Sequence, residues 1–576
     1  MNSWIRIKSG IMALIAVASG SIPLSANDTI QILPQQYFID VQHHLVLTNL
    51  DVSSVNLMWT DIKSHVFLDE PCAFSTPIIH AEVGIAYEVF IPSYNSVFAL
   101  YFTELPILSI STPYEIVDEP YVHAHFRMIE TNQAAVSSFI GIQYRGGWTQ
   151  TLPKKSMEIE FWSDSTGAET QDVSLLGLRT DDDWNLQAMY NEPLRIRSKT
   201  NNDLWRRIHT IHYQQSEPEA MNGIRMEYAE LFLNDEYQGI YCIGEKMDRK
   251  QLKLKNHNGS IRGELYKGVG WDGATTFHSL PPYSNHSSVW GGFEYKHPAE
   301  ETDWAHLYDF VDFVKNAPNS QFYQEYDSRF EIDNLVDYFI FLNLLRATDN
   351  TGKNIYIAKY DTDDKYFYAP WDLDGTFGTV WNGTYDATTN DVLLNGFYSR
   401  LMHDCQAQGF RDKLKARWLE LRSTHITHDS ILSMFMSSHE LLLNNGVYER
   451  ESQKWPNFTY NSLDIDYISD WLSDRLEYLD GRFTEECIPL SDGGIIADKR
   501  FFTIFPNPTN DVLSIITESS GPSQIAVYNC LGQLVHKDWN AESTFSISLG
   551  HLKEGIFFIE LTCQNHVEVH KVILTH

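Results

Sequence analysis

The side chains best suited to chemistry lie between positions 346 and 378. Arg346-Ala-Thr-Asp-Asn-Thr-Gly-Lys-Asn354 sets Asp349 and Asn354 five positions apart, where an apolar helix is expected to end. After one strand-like segment, Pro370-Trp-Asp-Leu-Asp-Gly-Thr-Phe-Gly378 adds Asp372 and Asp374. Carboxylates and a carboxamide are oxygen donors that suit a hard divalent cation, and a carboxylate can also take a proton from a hydroxyl. A metal-dependent hydrolase could use the same acids. No second cluster of histidines and acids accompanies them, however.

A second stretch complements the first. Ser138-Phe-Ile-Gly-Ile-Gln-Tyr-Arg145 leads through Gly146-Gly147 to Pro153-Lys-Lys-Ser-Met-Glu-Ile-Glu-Phe161. This reads as a strand, a glycine turn and a return strand carrying Lys154 and Lys155. A Gly-Gly turn lets backbone N–H groups approach an anion, and a lysine on the return strand can meet its oxygens. A basic helix-like run from about Leu194 to Ile208 follows, with Arg195 and Arg197.

These segments need a scaffold, and the composition supplies one. The 576 residues are 43% hydrophobic and 13% aromatic, too many for one core and too apolar for disorder, so several domains are expected. A formal charge of −33 leaves no basic excess to displace counterions from nucleic acid. Residues 1–26 read as a secretory signal, with Arg6 and Lys8 ahead of the apolar run Ile11–Ala18 and a small-residue site at Leu24-Ser25-Ala26. No later stretch is long and apolar enough to span a bilayer. Six cysteines lack any Cys-x-x-Cys pair; Cys530 and Cys563 share the last domain, but spacing alone does not pair them.

The expected architecture is a multidomain α+β chain. Short alternating runs over 27–104 predict a β-sandwich. Residues 105–490 begin with strands, and 256–299 form an insertion or irregular sheet. From Trp304 the apolar period becomes helical, with helices near 396–405, 409–421, 429–444 and 467–483 around one hairpin. A linker at 491–499 precedes a β-sandwich at 500–576.

Residues 105–490 resemble the CotH kinase family. The resemblance rests on Tyr144-Arg-Gly-Gly, Pro153-Lys-Lys-Ser, Asp183-Trp184, Leu194-Arg-Ile-Arg, Glu230-Leu-Phe-Leu-Asn, Gly239-Ile-Tyr, Asp349 with Asn354, and Pro370-Trp-Asp-Leu-Asp-Gly-Thr-Phe-Gly. It implies a two-lobed, protein-kinase-like core and a secreted atypical kinase that uses ATP with Mg²⁺ or Mn²⁺ on Ser/Thr (or Tyr) of an exported or surface protein. Asp349 takes the catalytic position, Asn354, Asp372 and Asp374 the metal positions, and Lys155, in preference to Lys154, the phosphate-contacting lysine. Arg197 is a further nucleotide-binding candidate. The usual Asp-Phe-Gly is loosened here, and His-Arg-Asp is not present. The alternative is a catalytically inactive, pseudokinase-like surface binding or structural protein. The last block, with Phe505-Pro-Asn-Pro and Leu552-Lys-Glu-Gly-Ile, resembles a type IX secretion (type A) sorting domain of Bacteroidetes-type bacteria. That implies handling by the type IX machinery and a secreted or cell-surface location.

Overall fold

The computed structural model describes residues 28–57, 62–487 and most of 502–575. The signal-like segment 1–26, the linker 491–499 and Cys530 lie outside the described residues. The chain divides into two compact units, Met1–Pro489 and Leu490–His576.

In the first unit, seven strands between Thr29 and Phe102 join in one sheet, and not in the two packed sheets expected of a sandwich. The reason is two parallel pairings. Thr29–Gln31 pairs with Lys63–Leu68, and Leu45–Thr48 with Ser96–Phe102. They stitch separate antiparallel ribbons edge to edge, and Val46, Val66, Val89 and Leu100 pack together on the result.

The next strands close into a seven-stranded barrel. Val136–Tyr144, Met157–Trp162 and Asp183–Gln187 run antiparallel side by side. The parallel pairing of Ile107–Ser111 with Met226–Leu233 helps complete the circle. Strand alternation sends Ile140, Ile142, Ile159 and Phe161 into a buried cluster with Trp184 and Leu186. Neighbouring Glu158 and Glu160 are only half-buried.

Residues 256–299 are better organised than expected. Glu264–Gly268 pairs antiparallel with Ile355–Lys359, which pairs with Tyr366–Pro370. Together with Val289–Trp290 and Phe293–His297 they make a five-stranded sheet, so the expected lone hairpin is part of something larger. The helix Ile332–Leu345 is buried from Asn334 to Leu345. Around it lie the helices Phe410–Arg422 and Leu463–Thr484, with His428–Asn444 beside the latter. A disulfide that spacing did not reveal joins Cys405 to Cys487, while Cys72 and Cys242 are buried thiols.

The second unit pairs a three-stranded sheet with a four-stranded one. Leu513, Ile515 and Ile547 from the first meet Val527, Ile559 and Leu561 from the second, which makes a sandwich. Among the described residues no helix is long and apolar enough to cross a membrane.

Candidate functional site

The buried helix Ile332–Leu345 stops at Arg346, whose φ of 50° is the left-handed turn that ends many helices. Its guanidinium is pinned by Asp386 at 2.6 Å and Asp391 at 2.9 Å. The 3-10 turn Thr348–Thr351 then presents Asp349. Asn350 secures this turn, its Nδ2 donating to the carbonyls of Asn354 at 2.9 Å and Trp371 at 2.6 Å. The strand exit carrying Asp372 is thereby tied to the turn carrying Asp349. Both Asn354 (φ 54°) and Asp372 (φ 57°) hold left-handed backbone, which costs a side-chain-bearing residue about 1 kcal/mol or more. Two such residues side by side mark this loop pair as over-determined by its surroundings.

Three of the expected residues meet directly. Asn354 Nδ2 donates to Asp349 Oδ2 at 2.9 Å and to Asp372 Oδ2 at 3.1 Å. Asp374 is held separately by Asn191 Nδ2 at 2.9 Å, and the same amide nitrogen reaches the Trp381 carbonyl at 2.6 Å. Burial raises the Asp349 carboxyl above its ordinary range; Lys353 opposes this and Asp372 adds to it. Burial, then the charge of Asp372, pushes Asp374 up to about 7 against the opposing hydrogen bond from Asn191. None of the three carboxylates makes an ion pair with a described basic side chain.

Carboxylates of this kind fit a hard cation, and Asn354 offers it an oxygen once its amide, which here donates Nδ2 to Asp349 and Asp372, is turned over. Asp372 and Asn354 are the residues that would hold it. The oxygens of Asp349, Asp372 and Asp374 do not all come within 4.8 Å of one another. Ligands of one Mg²⁺ lie at about 2.1 Å from it, so the three cannot share a single ion in this arrangement.

The acids form one wall of a cavity of about 640 Å³. The barrel forms another, through the Gly146–Trp148 turn, Lys154, Ser156, Glu158 and Asn185. Here the choice of lysine is corrected. Lys155 Nζ turns to the carbonyls of Gln150 (2.6 Å) and Leu152 (3.1 Å) and does not line the cavity. Lys154 does, fully buried, with Nζ 2.5 Å from both Glu451 Oε1 and the Ile240 carbonyl. Burial brings its ammonium down to about 8, opposed by Glu451. Burial would raise Glu451, but Lys154 and Arg195 outweigh it and hold the carboxyl below its ordinary range. The two groups therefore face each other charged at neutral pH.

Arg197 is corrected too. It is wholly buried, pairs with Glu192 at 2.9 Å and donates to the carbonyls of Thr376 (3.0 Å) and Phe377 (3.3 Å). It anchors the loop behind Asp374 and does not line the cavity.

Sequence reasoning passed over three cavity cations. Arg145, Lys267 and Lys353 line the cavity without a carboxylate in ion-pair range. Arg145 lies over the Trp371 ring at 5.5 Å and Lys267 at 5.8 Å. Burial, then the charges of Arg145 and Lys296, lowers the Lys267 ammonium. Arg145 directly precedes the glycine turn, a usable clue. Lys267 sits in a strand that is otherwise almost entirely buried, and no local signal marks it.

Barrel, buried helix and five-stranded sheet thus define a mixed α+β protein whose polar cavity holds acids and cations that form no ion pair with one another among the described residues. The family model described as "CotH kinase protein" matches residues 142–479, more than half the chain, and the chain belongs to that family. A second family, "Secretion system C-terminal sorting domain", matches residues 503–575. That tail indicates secretion or cell-surface attachment. A stretch of 133 residues is 24% identical to an endo-acting ulvan lyase of Formosa agariphila, covering 23% of this chain and 25% of that protein. The chain spans about a quarter of the length of that relative.

Proposed function

We propose that this chain is an exported, metal-dependent atypical protein kinase that moves the γ-phosphoryl group of ATP to a Ser, Thr or Tyr hydroxyl of an exported or surface protein. The observation that carries the reading is the polarity of one cavity. Among the described residues Asp349, Asp372 and Asp374 have no cation in ion-pair range and Arg145, Lys267 and Lys353 no anion, although Lys353 acts on Asp349 and Asp372 on Lys267 from farther off. In an interior, unpaired charges of both signs are costly. A metal-bound polyphosphate satisfies both sets together.

The barrel is read as the small lobe and the helical block as the large one, with ATP between them. The glycine turn and Lys154, Arg145 and Lys267 would take the phosphate oxygens. Asp372 and Asn354 would hold Mg²⁺ or Mn²⁺, which neutralises charge on the β- and γ-oxygens when bound. Asp349 would accept the proton of the acceptor hydroxyl as its oxygen bonds to the γ-phosphorus. The bond from that phosphorus to the β,γ-bridging oxygen breaks, and ADP leaves. Burial that raises Asp349 favours this role, since a more basic carboxylate is a better proton acceptor. Residues 1–26 would start the export that the sorting tail completes.

The test is incubation of the full chain with γ-labelled ATP, Mg²⁺ or Mn²⁺ and exported proteins from cells of its own kind. Label should reach a protein hydroxyl and fall at least a hundredfold in Asp349→Ala. Equal labelling by wild type and variant would sink the proposal.

A further inference from the structure

A second, larger cavity of about 870 Å³ lies in the same unit, next to the Met247–Lys253 connector. Asp248 faces the acid-lined cavity, while Arg249 and Lys250 line this one. Six cationic side chains line it against four acidic ones, in a chain whose net charge is −33. Most of the acids are already engaged. Asp181 meets Lys250 at 2.7 Å, Glu245 meets Arg225 at 2.7 Å, and Glu219 meets Lys253 at 3.0 Å. Among the described residues the Arg249 side chain has neither a hydrogen bond nor an ion pair, and the Glu219 partner of Lys253 is almost fully exposed.

Unsatisfied polar atoms gather at the same cavity. Arg179 Nε and Arg206 Nε are buried donors without an acceptor, and Asn222 Oδ1 is a buried acceptor without a donor. Asn222 is 5% exposed, and its Nδ2 is committed to the Tyr368 carbonyl at 2.9 Å. Buried polar groups in folded proteins almost always have partners; a fourth such atom here, Asp181 Oδ2, is ion-paired to Arg179, so three orphans on residues that line one cavity call for a common explanation.

We infer that this cavity binds a small hydroxylated oxyanion, a sugar acid or a sugar phosphate. Its anionic oxygens would be met by Arg249 and Lys253, with Arg179 and Arg206, already paired to Asp181, Asp248 and Asp203, adding positive charge behind them. A hydroxyl would donate to Asn222 Oδ1. A bare cation would add to the positive excess of the lining, and a neutral sugar would leave it uncompensated. The trio Asp172, Asp181 and Asp182 at the rim does not compete as a metal site, because Lys250 already bridges Asp181 and Asp182.

Titration calorimetry on the full chain tests this with glucuronate, glucose 6-phosphate and neutral glucose. Either anion should bind at least tenfold more tightly than glucose, and the preference between them names the oxyanion. Affinity should fall at least fivefold in Arg249→Gln and again in Arg249→Gln/Lys253→Gln, both at partly exposed positions where folding should survive. It should be unchanged in Asp372→Asn, which alters only the acid-lined cavity. No binding of either anion, equal affinity in the double variant, or loss in Asp372→Asn would each overturn the inference.

Discussion

Glu451→Gln is the substitution that most sharply probes how the cavity lysine is held. Glu451 is completely buried and accepts from Lys154 Nζ at 2.5 Å, the Ile240 amide at 2.7 Å and Arg195 at 3.2 Å. Glutamine keeps the shape and can still accept from Ile240, but it removes the charge that balances two buried cations. Breaking a buried pair from one side costs about 3–5 kcal/mol. Lys154 can shed part of that cost by losing its proton, whereas Arg195 cannot. The pH dependence gives a second, independent number. The Lys154 ammonium ionises at about 8 in the folded chain against an ordinary 10.5. Folding therefore expels a proton between those values. The burial penalty is full below pH 8 and disappears as pH rises to 10.5, a gain of about 3 kcal/mol. Urea unfolding from pH 7 to 10.5 on wild type, Glu451→Gln and Lys154→Met measures both quantities. Glu451→Gln should lose at least 3 kcal/mol at pH 7, and Lys154→Met should lack the wild-type rise above pH 8. A loss under about 1 kcal/mol, or an undiminished rise in Lys154→Met, would refute the buried-pair account.

Further outcomes follow from the same geometry. Lys155→Ala should leave ATP affinity within twofold by calorimetry, whereas Arg145→Ala or Lys267→Ala should weaken it about tenfold or more, the scale of a lost charge-assisted hydrogen bond. Removing the Cys405–Cys487 bridge, which spans 82 positions, should cost about 4.5 kcal/mol in the chain-entropy account, read as a lower urea midpoint for Cys405→Ser or under reductant. His306 is held above its ordinary range chiefly by its hydrogen bond to the buried Glu264 carboxylate. Its contribution to stability is therefore complete below pH 6.5 and lost as pH rises through the raised value, and His306→Gln should flatten that part of the melting-temperature profile.

The uneven legibility of the site has a physical pattern. Asp349, Asn354, Asp372 and Asp374 could be singled out because a helix end and one hairpin bring them together within 26 positions, and local chemistry is what a sequence displays. The lysine pair was legible as well, but strand parity, the ground for choosing Lys155, does not reach it. Both lysines precede the strand Met157–Trp162 and lie in a bend where alternation does not hold, so which of them enters the cavity is set by the fold. Arg197 reads as a nucleotide-binding candidate because it sits in a helix rich in arginine and lysine. Glu192 nearby and Thr376 and Phe377 far along the chain together seal its guanidinium inside. Glu451 was beyond reach, since its partnership with Lys154 spans 297 positions. The same holds for the edges of sheets. Alternation predicted the strands between 27 and 104, but the parallel joins that fuse them depend on contacts no local pattern encodes. Residues 256–299 looked irregular because their partner strand lies about 90 positions away, at Ile355–Lys359. What governs this cavity is thus divided. The acids that would do chemistry are set by neighbours in sequence, and the cations that would position the substrate are set by the closure of the fold.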